Sequence, residues 1–304
     1  MERHEIEIFL TLAEELHFGR TGERLHVSAA MVSQTIKKVE RRLGGPLFER
    51  TSRKVELTAL GRQLYDDLHP HYVGIQQAVG RAAITAKGIA GTLRIGFLGD
   101  LAGAQAHAAA RVFRERHPDC TVEINEVQIG EYIFPLRDGE LDMMITLSPL
   151  VEPDVTVGLI LPRRQTYAGL PSGHRLAQRE SLVLEDLAGM AFPSLVEGVP
   201  DYWIEPYHPR WTPGGRSIGR TSQRCATYPE FLALVASGQA VCVGDSQVLD
   251  FYTRPDVVYV PLLDARRIEH ALVWLTSAEN ARMRAYMEAV RDTAETILPE
   301  VGAA

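Results

Sequence analysis

The chain has 304 residues, a formal net charge of -7 at pH 7, 45% hydrophobic and 23% charged residues, 25 Gly and 17 Pro. This length predicts two or three domains, and the composition excludes a fibrous, low-complexity or wholly disordered chain. Taken globally, the acidity argues against a nucleic-acid partner, but it is unevenly spread: residues 1–90 carry 13 Lys/Arg against 11 Asp/Glu, and residues 91–304 carry 19 against 28.

Ile6, Phe9, Leu10, Ala13 and Leu16 recur at helical spacing and predict a first amphipathic helix, ended by His17-Phe18-Gly19. A short helix over about 21–26 follows. Ser28 then opens a longer helix whose apolar stripe is Val32, Ile36, Val39 and Leu43, stopped by Gly44-Gly45-Pro46. Its other face displays Ala29, Ser33, Gln34, Lys37, Lys38, Arg41 and Arg42. Residues 47–50 and 55–57 read as a hairpin with a basic tip at Thr51-Ser52-Arg53-Lys54.

Thr58 can cap a long helix to about Lys87, with the seam Leu64, Leu68, Tyr72, Ile75, Val79 and Ala82 near the coiled-coil repeat. Such a stripe, without a core of its own, wants a partner chain. Pro70 within it is expected to kink the helix. Gly88 to Gly91 marks a boundary. Beyond it, strands near 93–97, 121–127 and 143–147 alternate with helices near 101–117 and 132–138, which predicts a parallel α/β unit. A second unit follows Pro162, with strands near 167–170, 217–221, 240–243 and 257–260 and a helix over 228–237. The chain returns through 271–275 to a final helix carrying Met283, Tyr286, Val290, Ala294 and Ile297. Two lobes with a cleft between them are the expected result.

A helix offering Ser33, Gln34 and Lys37 from one side, after a short helix and a tight turn, can lie in a major groove and address base edges. Arg50, Arg53 and Lys54 on the hairpin suit phosphates. Other chemistry finds little support. Cys120, Cys225 and Cys242 are too far apart in sequence to suggest a zinc site and are odd in number, so a reducing cytoplasm fits. His69-Pro70-His71 does not place two histidines on one helix face, Gly96-Phe97-Leu98-Gly99 lacks the spacing of a dinucleotide loop, and nothing assembles a Ser-His-Asp triad. The acidic start Met1-Glu2-Arg3-His4-Glu5 is unlike a signal peptide, and no apolar run approaches 18 residues. A cytoplasmic protein is expected, with no cofactor, no metal and no membrane.

The chain resembles the LysR-type transcriptional regulators. The matching residues are Ala13-Glu14-Glu15-Leu16-His17-Phe18-Gly19-Arg20, Glu23-Arg24-Leu25-His26-Val27-Ser28, Ser33, Ile36, Glu40, Leu43-Gly44, Pro46-Leu47-Phe48-Glu49-Arg50 and Leu57-Thr58 with Gly61. Leu170 to Ala177 and Leu232 to Val243 are similar too. The resemblance implies an α+β and α/β architecture: a winged helix-turn-helix over 1–57, a dimerising linker helix over 58–90 and a periplasmic-binding-protein-like effector domain over 91–304. In that domain lobe I spans about 91–161 and 267–304, and lobe II about 162–266. It further implies double-stranded DNA, a small-molecule effector and RNA polymerase as partners, and a homodimer or homotetramer.

The implied DNA-binding residues are Arg20, Ser28, Ala29, Ala30, Ser33, Gln34, Lys37, Lys38, Arg41, Arg50, Arg53 and Lys54. Ala29 and Ala30 replace the family's Gln-Pro, so base reading there is expected to be weaker or limited to a thymine methyl. Gly22 replaces a small alanine and reads as a looser packing choice. The implied effector positions are Leu98, Gly99, Asp100 and Leu101; Gln128 and Ile129; Thr146, Leu147 and Ser148; and, from lobe II, Ser194, Leu195, Val196, Tyr202, Trp203 and Thr227. Asp100 would repel a carboxylate, so a neutral, aromatic or amine-bearing effector is one reading. In the other, Asp100 only caps a helix and the aromatics pack. Two rival functions, an oligomerising solute-binding protein and an enzyme using the cleft, lack an export signal and a catalytic constellation respectively.

Overall fold

Apolar residues at helical spacing bury one face of α1 (Arg3–Glu15), centred on Ile8, Phe9 and Leu12. The computed structural model describes residues 1–50, 54–87 and 89–297, with side chains except at 50, 77, 80–87 and 295–297. In α2 (Phe18–Arg24) the His17 ring accepts the Arg20 N–H at 3.1 Å. α3 (Ala29–Leu43) begins where the Ser28 hydroxyl accepts the Met31 N–H at 3.2 Å, and ends at the left-handed Gly44. β1 (Phe48–Arg50) and β2 (Val55–Leu57) pair antiparallel. The turn between them, with Arg53, lies outside the described residues. Glu40 accepts the N–H groups of Leu47 and Phe48 at 3.0 and 3.3 Å, which ties the end of α3 to the hairpin.

Thr58 caps α4 (Ala59–Lys87), its hydroxyl accepting the Gly61 N–H at 2.9 Å. As expected, α4 continues through Pro70 as one 29-residue helix; the turns on either side keep their own bonds when one donor is absent. The seam needs correcting. Leu64, Leu68 and Tyr72 pack on the cluster of Phe9, Val32, Ile36 and Leu47, so half of it does have a core. Ile75 and Val79, 57% and 61% exposed, do not share it. Nor is Gly22 a loose choice: a Cβ there would lie 2.6 Å from the Val27 carbonyl oxygen. The turn into α3 crosses too close for one. Residues Met1–Gly80 form one unit and Arg81–Ala304 another.

The second unit opens with β3 (Gly91–Phe97), α5 (Asp100–Arg116) and β4 (Cys120–Glu126). The helix expected near 132–138 is a 3-10 turn, Ile129–Glu131, followed by the single-turn α6 (Phe134–Arg137), because Pro135 limits what can precede it. β5 (Met143–Leu147) and β6 (Val155–Ile160) follow, then β7 (Tyr167–Pro171), β8 (Ala191–Leu195), α7 (Asp201–Ile204), β9 (Gly219–Cys225), α8 (Tyr228–Ala236), β10 (Cys242–Gly244), α9 (Val248–Phe251), β11 (Val257–Pro261), β12 (His270–Leu275) and α10 (Ala281–Ile297).

The main sheet has the order β4-β3-β5-β12-β6. It is mixed, not parallel throughout: β3 runs parallel to β4 and β5, while β12 returns antiparallel to β5 and β6. The edge strand β6 was not expected. One sheet face carries α5 and α10, where Gln105 Nε2 donates to the Val290 carbonyl at 3.0 Å and to Thr293 Oγ1 at 2.8 Å. The other lobe holds the sheets β10-β7-β11 and β8-β9. Two connecting segments pair between Arg164 and Ile268. A single apolar cluster, with Met144, Ala271 and Val273 from the main sheet and Trp203, Phe231 and Leu232 from the other lobe, joins the two.

Candidate functional site

Two places concentrate chemistry, and in each the local fold explains which side chains are presented. On α3, Val32, Ile36 and Val39 are fully buried, so the opposite face must look outward. Ala29, Ala30, Gln34, Lys37 and Arg41 are exposed there, with Ser33 half-buried and Ser28 exposed at the cap.

The four cations of α3 divide into two pairs. Lys38 Nζ and Arg42 Nη2 each lie 2.9 Å from a carboxylate oxygen of Glu5, which is fully buried on α1. The Glu2 N–H donates to Glu5 as well, at 2.8 Å. This bond first, then Lys38, holds the Glu5 carboxyl down to about 2. Lys38 and Arg42 therefore bind α3 to α1, a role the sequence did not disclose. Lys37 and Arg41 make no ion pair among the described residues and remain open to a partner.

Arg20 is likewise engaged: it donates to the Glu15 carbonyl at 2.5 Å and lies 3.3 Å from the Glu15 carboxylate. On the hairpin, Lys54 pairs with Glu56 at 2.5 Å. The side chain of Arg50 and all of Arg53 lie outside the described residues.

The second place is a cavity of about 110 Å³ between the lobes. It forms outside the carboxyl ends of β3, β4 and β5, the place favoured in open α/β sheets. Of the expected effector residues, Leu98, Gly99, Asp100, Gln128, Ile129 and Leu147 line it. The others are held elsewhere. Leu101 is in the core under α5, Thr146 is fully buried in β5, and Ser148 donates its N–H to the Glu269 carbonyl at 2.8 Å. Ser194 is bonded to Thr221 in the β8-β9 pair, Leu195 and Val196 continue that strand, and Thr227 caps α8 by accepting the Glu230 N–H at 3.3 Å.

Tyr202 and Trp203 bridge the lobes by hydrogen bonds. Trp203 Nε1 donates to the Leu147 carbonyl at 3.0 Å, and Tyr202 donates to Glu152 at 2.7 Å. Their bulk goes into packing, which is the aromatic half of the second sequence reading.

Asp100 is not the helix cap. Gly99 is, at φ +80°, a conformation that suits glycine, and Asp100 is the first residue of α5. One Asp100 oxygen is buried without a hydrogen-bond partner. Burial, then the charges of Glu126 and Asp245, push its carboxyl above the usual value. Glu126 and Asp245 both line the same cavity, and no Lys or Arg does. His208 and His270 line it too, and burial depresses both rings, His208 to about 3. For His270 the Asp245 carboxylate works the other way. Tyr207, Tyr228, Phe231 and Tyr252 complete an aromatic wall, with Tyr228 and Tyr252 rings 4.7 Å apart.

The strand-end rule could have found Glu126, Val243, Gly244 and Asp245, since these residues follow or end strands as Gln128 does. Tyr207, His208 and Ile268 carry no such signal, because they reach the cavity from irregular segments and from the connection between the lobes.

Cys120, Cys225 and Cys242 are buried and free, and burial raises each thiol, Cys242 to about 12. Among the described residues no helix is long and apolar enough to cross a membrane, and no cluster of His, Cys, Asp or Glu suits a metal ion.

Residues 86–295 match the LysR substrate binding domain, and residues 4–62 match the bacterial regulatory helix-turn-helix proteins of the lysR family. The chain is 33% identical over 193 residues to the uncharacterized HTH-type transcriptional regulator YnfL of Escherichia coli strain K12, covering 63% of this chain and 65% of that one. The matched part is thus just under two thirds of that relative's length. To the HTH-type transcriptional regulator ShiR of Corynebacterium glutamicum strain R it is 29% identical over 298 residues, covering 96% and 99%. Among solved structures, full-length CbnR complexed with its target DNA is similar in fold, with a TM-score of 0.63 and 21% identity, over 97% of this chain and 100% of that one.

Proposed function

This chain belongs to the LysR family of bacterial regulatory proteins, and from that premise we propose a sequence-specific, DNA-binding transcriptional regulator answering to a small molecule held between two α/β lobes. Residues 1–57 are its reading head, 58–90 its pairing helix and 91–304 its sensor. The single observation that carries the proposal is the sidedness of α3: Val32, Ile36 and Val39 have no exposure, while Ala30, Gln34, Lys37 and Arg41 stand outward one turn apart.

In the major groove Ser33 and Gln34 address base edges, Ala29 and Ala30 meet thymine methyls, and Lys37 and Arg41 neutralise phosphates. Ile75 and Val79, exposed on α4, suit a second copy, and two heads on one pairing helix suit two half-sites. A ligand in the cavity changes the state of the regulator only by binding one arrangement of the lobes better than another; the reader of that change is RNA polymerase, as in the family resemblance. A cytoplasmic setting and a non-enzymatic role belong to the same proposal.

The test measures operator and random-sequence binding against salt. We expect Gln34→Ala to cost about 1 to 3 kcal/mol on the operator and little on random DNA. Lys37→Ala should weaken both alike and lower the log-log salt slope by about one. Equal losses on both DNAs in both variants would remove α3 as the reader.

A further inference from the structure

The cavity between the lobes carries an unbalanced charge. Asp100, Glu126 and Asp245 line it, and no lysine or arginine is among its lining residues. Asp245 is buried, Asp100 half-buried and Glu126 exposed; like charges drawn together at a partly dry site without a counter-ion are costly, and a group that enters with the opposite sign relieves them.

The N-terminus of α5 meets this cavity at Gly99 and Asp100. In another chain that end of a 17-residue helix would favour an incoming anion. Here the first helical residue is itself an acid, so the chain supplies its own anion at the place where a ligand's carboxylate would gain most.

A second, independent observation points to a missing partner. His208 is only 2% exposed, lines the cavity, and leaves its Nδ1 without a hydrogen-bond partner. Its ring is stacked on Phe192 at 4.5 Å, so it cannot turn freely to find one. Burial keeps this ring neutral. A neutral imidazole nitrogen can accept an N–H, whereas an imidazolium could not. One Asp100 oxygen is orphaned in the same way. Arg220 does not line the cavity: its guanidinium bonds the His208 carbonyl, lies 5.7 Å from the Phe192 ring centroid, and faces Glu205 at 3.4 Å.

The rest of the wall suits the body of such a ligand. Ile129, Leu147, Ile204, Val248 and Ile268 are apolar, and Tyr228, Phe231 and Tyr252 offer ring faces that attract a cation. About 110 Å³ is less than the roughly 150 Å³ of a closed cavity that takes up benzene, but this cavity is open on one side, so a benzyl-sized body keeps part of its ring at the mouth. We propose that this regulator's effector is a small organic cation, an ammonium group on a compact apolar or aromatic body, with the ammonium held among Asp100, Asp245 and the His208 nitrogen. The proposal rests on reading the cavity as the effector site.

Three probes of one shape and different charge test it on the full chain by titration calorimetry: benzylamine, benzyl alcohol and benzoate. Benzylamine should bind at least tenfold more tightly than benzyl alcohol, with benzoate weakest. Asp100→Asn and Asp245→Asn should each weaken benzylamine tenfold or more and leave benzyl alcohol unchanged. Leu98→Trp and Gln247→Trp, both checked for folding by circular dichroism, should block every probe.

Benzoate binding as tightly as benzylamine, and blocked by the tryptophan variants, would overturn the charge class while leaving the effector site in place. Binding that ignores both tryptophan variants, or no binding of any probe, overturns the site itself and the proposal with it.

Discussion

Glu5 in the N-terminal unit and Asp100 in the C-terminal unit are both carboxylates drawn out of water, yet their surroundings are opposite. Glu5 meets Lys38, Arg42 and a backbone N–H, and its carboxyl is held down to about 2. Asp100 meets the charges of Glu126 and Asp245, has a hydrogen bond with Tyr252 and leaves one oxygen without a partner, and on balance its carboxyl is pushed up. The contrast separates two uses of a buried acid. A reading head must hold one helix rigidly against another, so its acid is paired with two cations within the fold. A receptor must leave part of its polar capacity unmatched, so that something else can complete it.

The sharpest way to break the comparison is to crowd the head, which has no room to give. A Cβ at Gly61 would lie 2.1 Å from the Leu47 carbonyl oxygen, which already accepts the Thr58 N–H at 3.0 Å. Gly61→Ala should therefore destabilise the head by about 3 kcal/mol in denaturant unfolding, although alanine is by itself the better helix former. A neutral effect would show that the head is as yielding as a receptor.

A smaller effect is expected from charge. Glu5 has a depressed folded value, so its contribution to stability is complete above its ordinary 4.5 and is lost as pH falls toward about 2. Glu5→Gln should lower the unfolding temperature of the head near neutral pH, and the difference from the parent chain should vanish in acid. A difference that persists unchanged at pH 2 would mean that Glu5 matters only through its shape.

The smallest effect should have the reverse sign. Asp100 has a raised folded value, so the parent chain is relatively favoured below its ordinary 3.8 and loses that advantage as pH rises through the raised value. Asp100→Asn should thus stabilise the ligand-free sensor near neutral pH, by about 1 kcal/mol, and the gain should shrink in acid. Destabilisation instead, at every pH, would show that the hydrogen bond with Tyr252 outweighs the burial and the neighbouring charges, and would erase the contrast with Glu5.

How much of this was legible beforehand differs between the units. The helix-turn-helix could be read directly, with Ser28 at its cap, Gly44 at its stop and Gln34 and Lys37 on its face, because every relation among them spans at most a few turns of one helix. What the linear reading missed there is long-range: Leu64, Leu68 and Tyr72 pack on the head's core, and Lys38 and Arg42 look identical to Lys37 and Arg41 until α1 brings Glu5 beneath two of them. In the sensor, six expected cavity residues come from strand ends, where the polypeptide itself signals a turn. Tyr202 and Trp203 have the right chemistry for a binding wall, but packing against Leu147 and Glu152 uses it.

From the residue order alone came the periodicities, the caps and the division into a basic head and an acidic sensor, since helical spacing and local charge depend on near neighbours. Only the tertiary structure decided which cations remain open, which aromatics bridge the lobes and which three acids share one cavity. Those outcomes depend on segments far apart in the chain, and burial and pairing, which determine what a charged group can do, exist only once the segments have met.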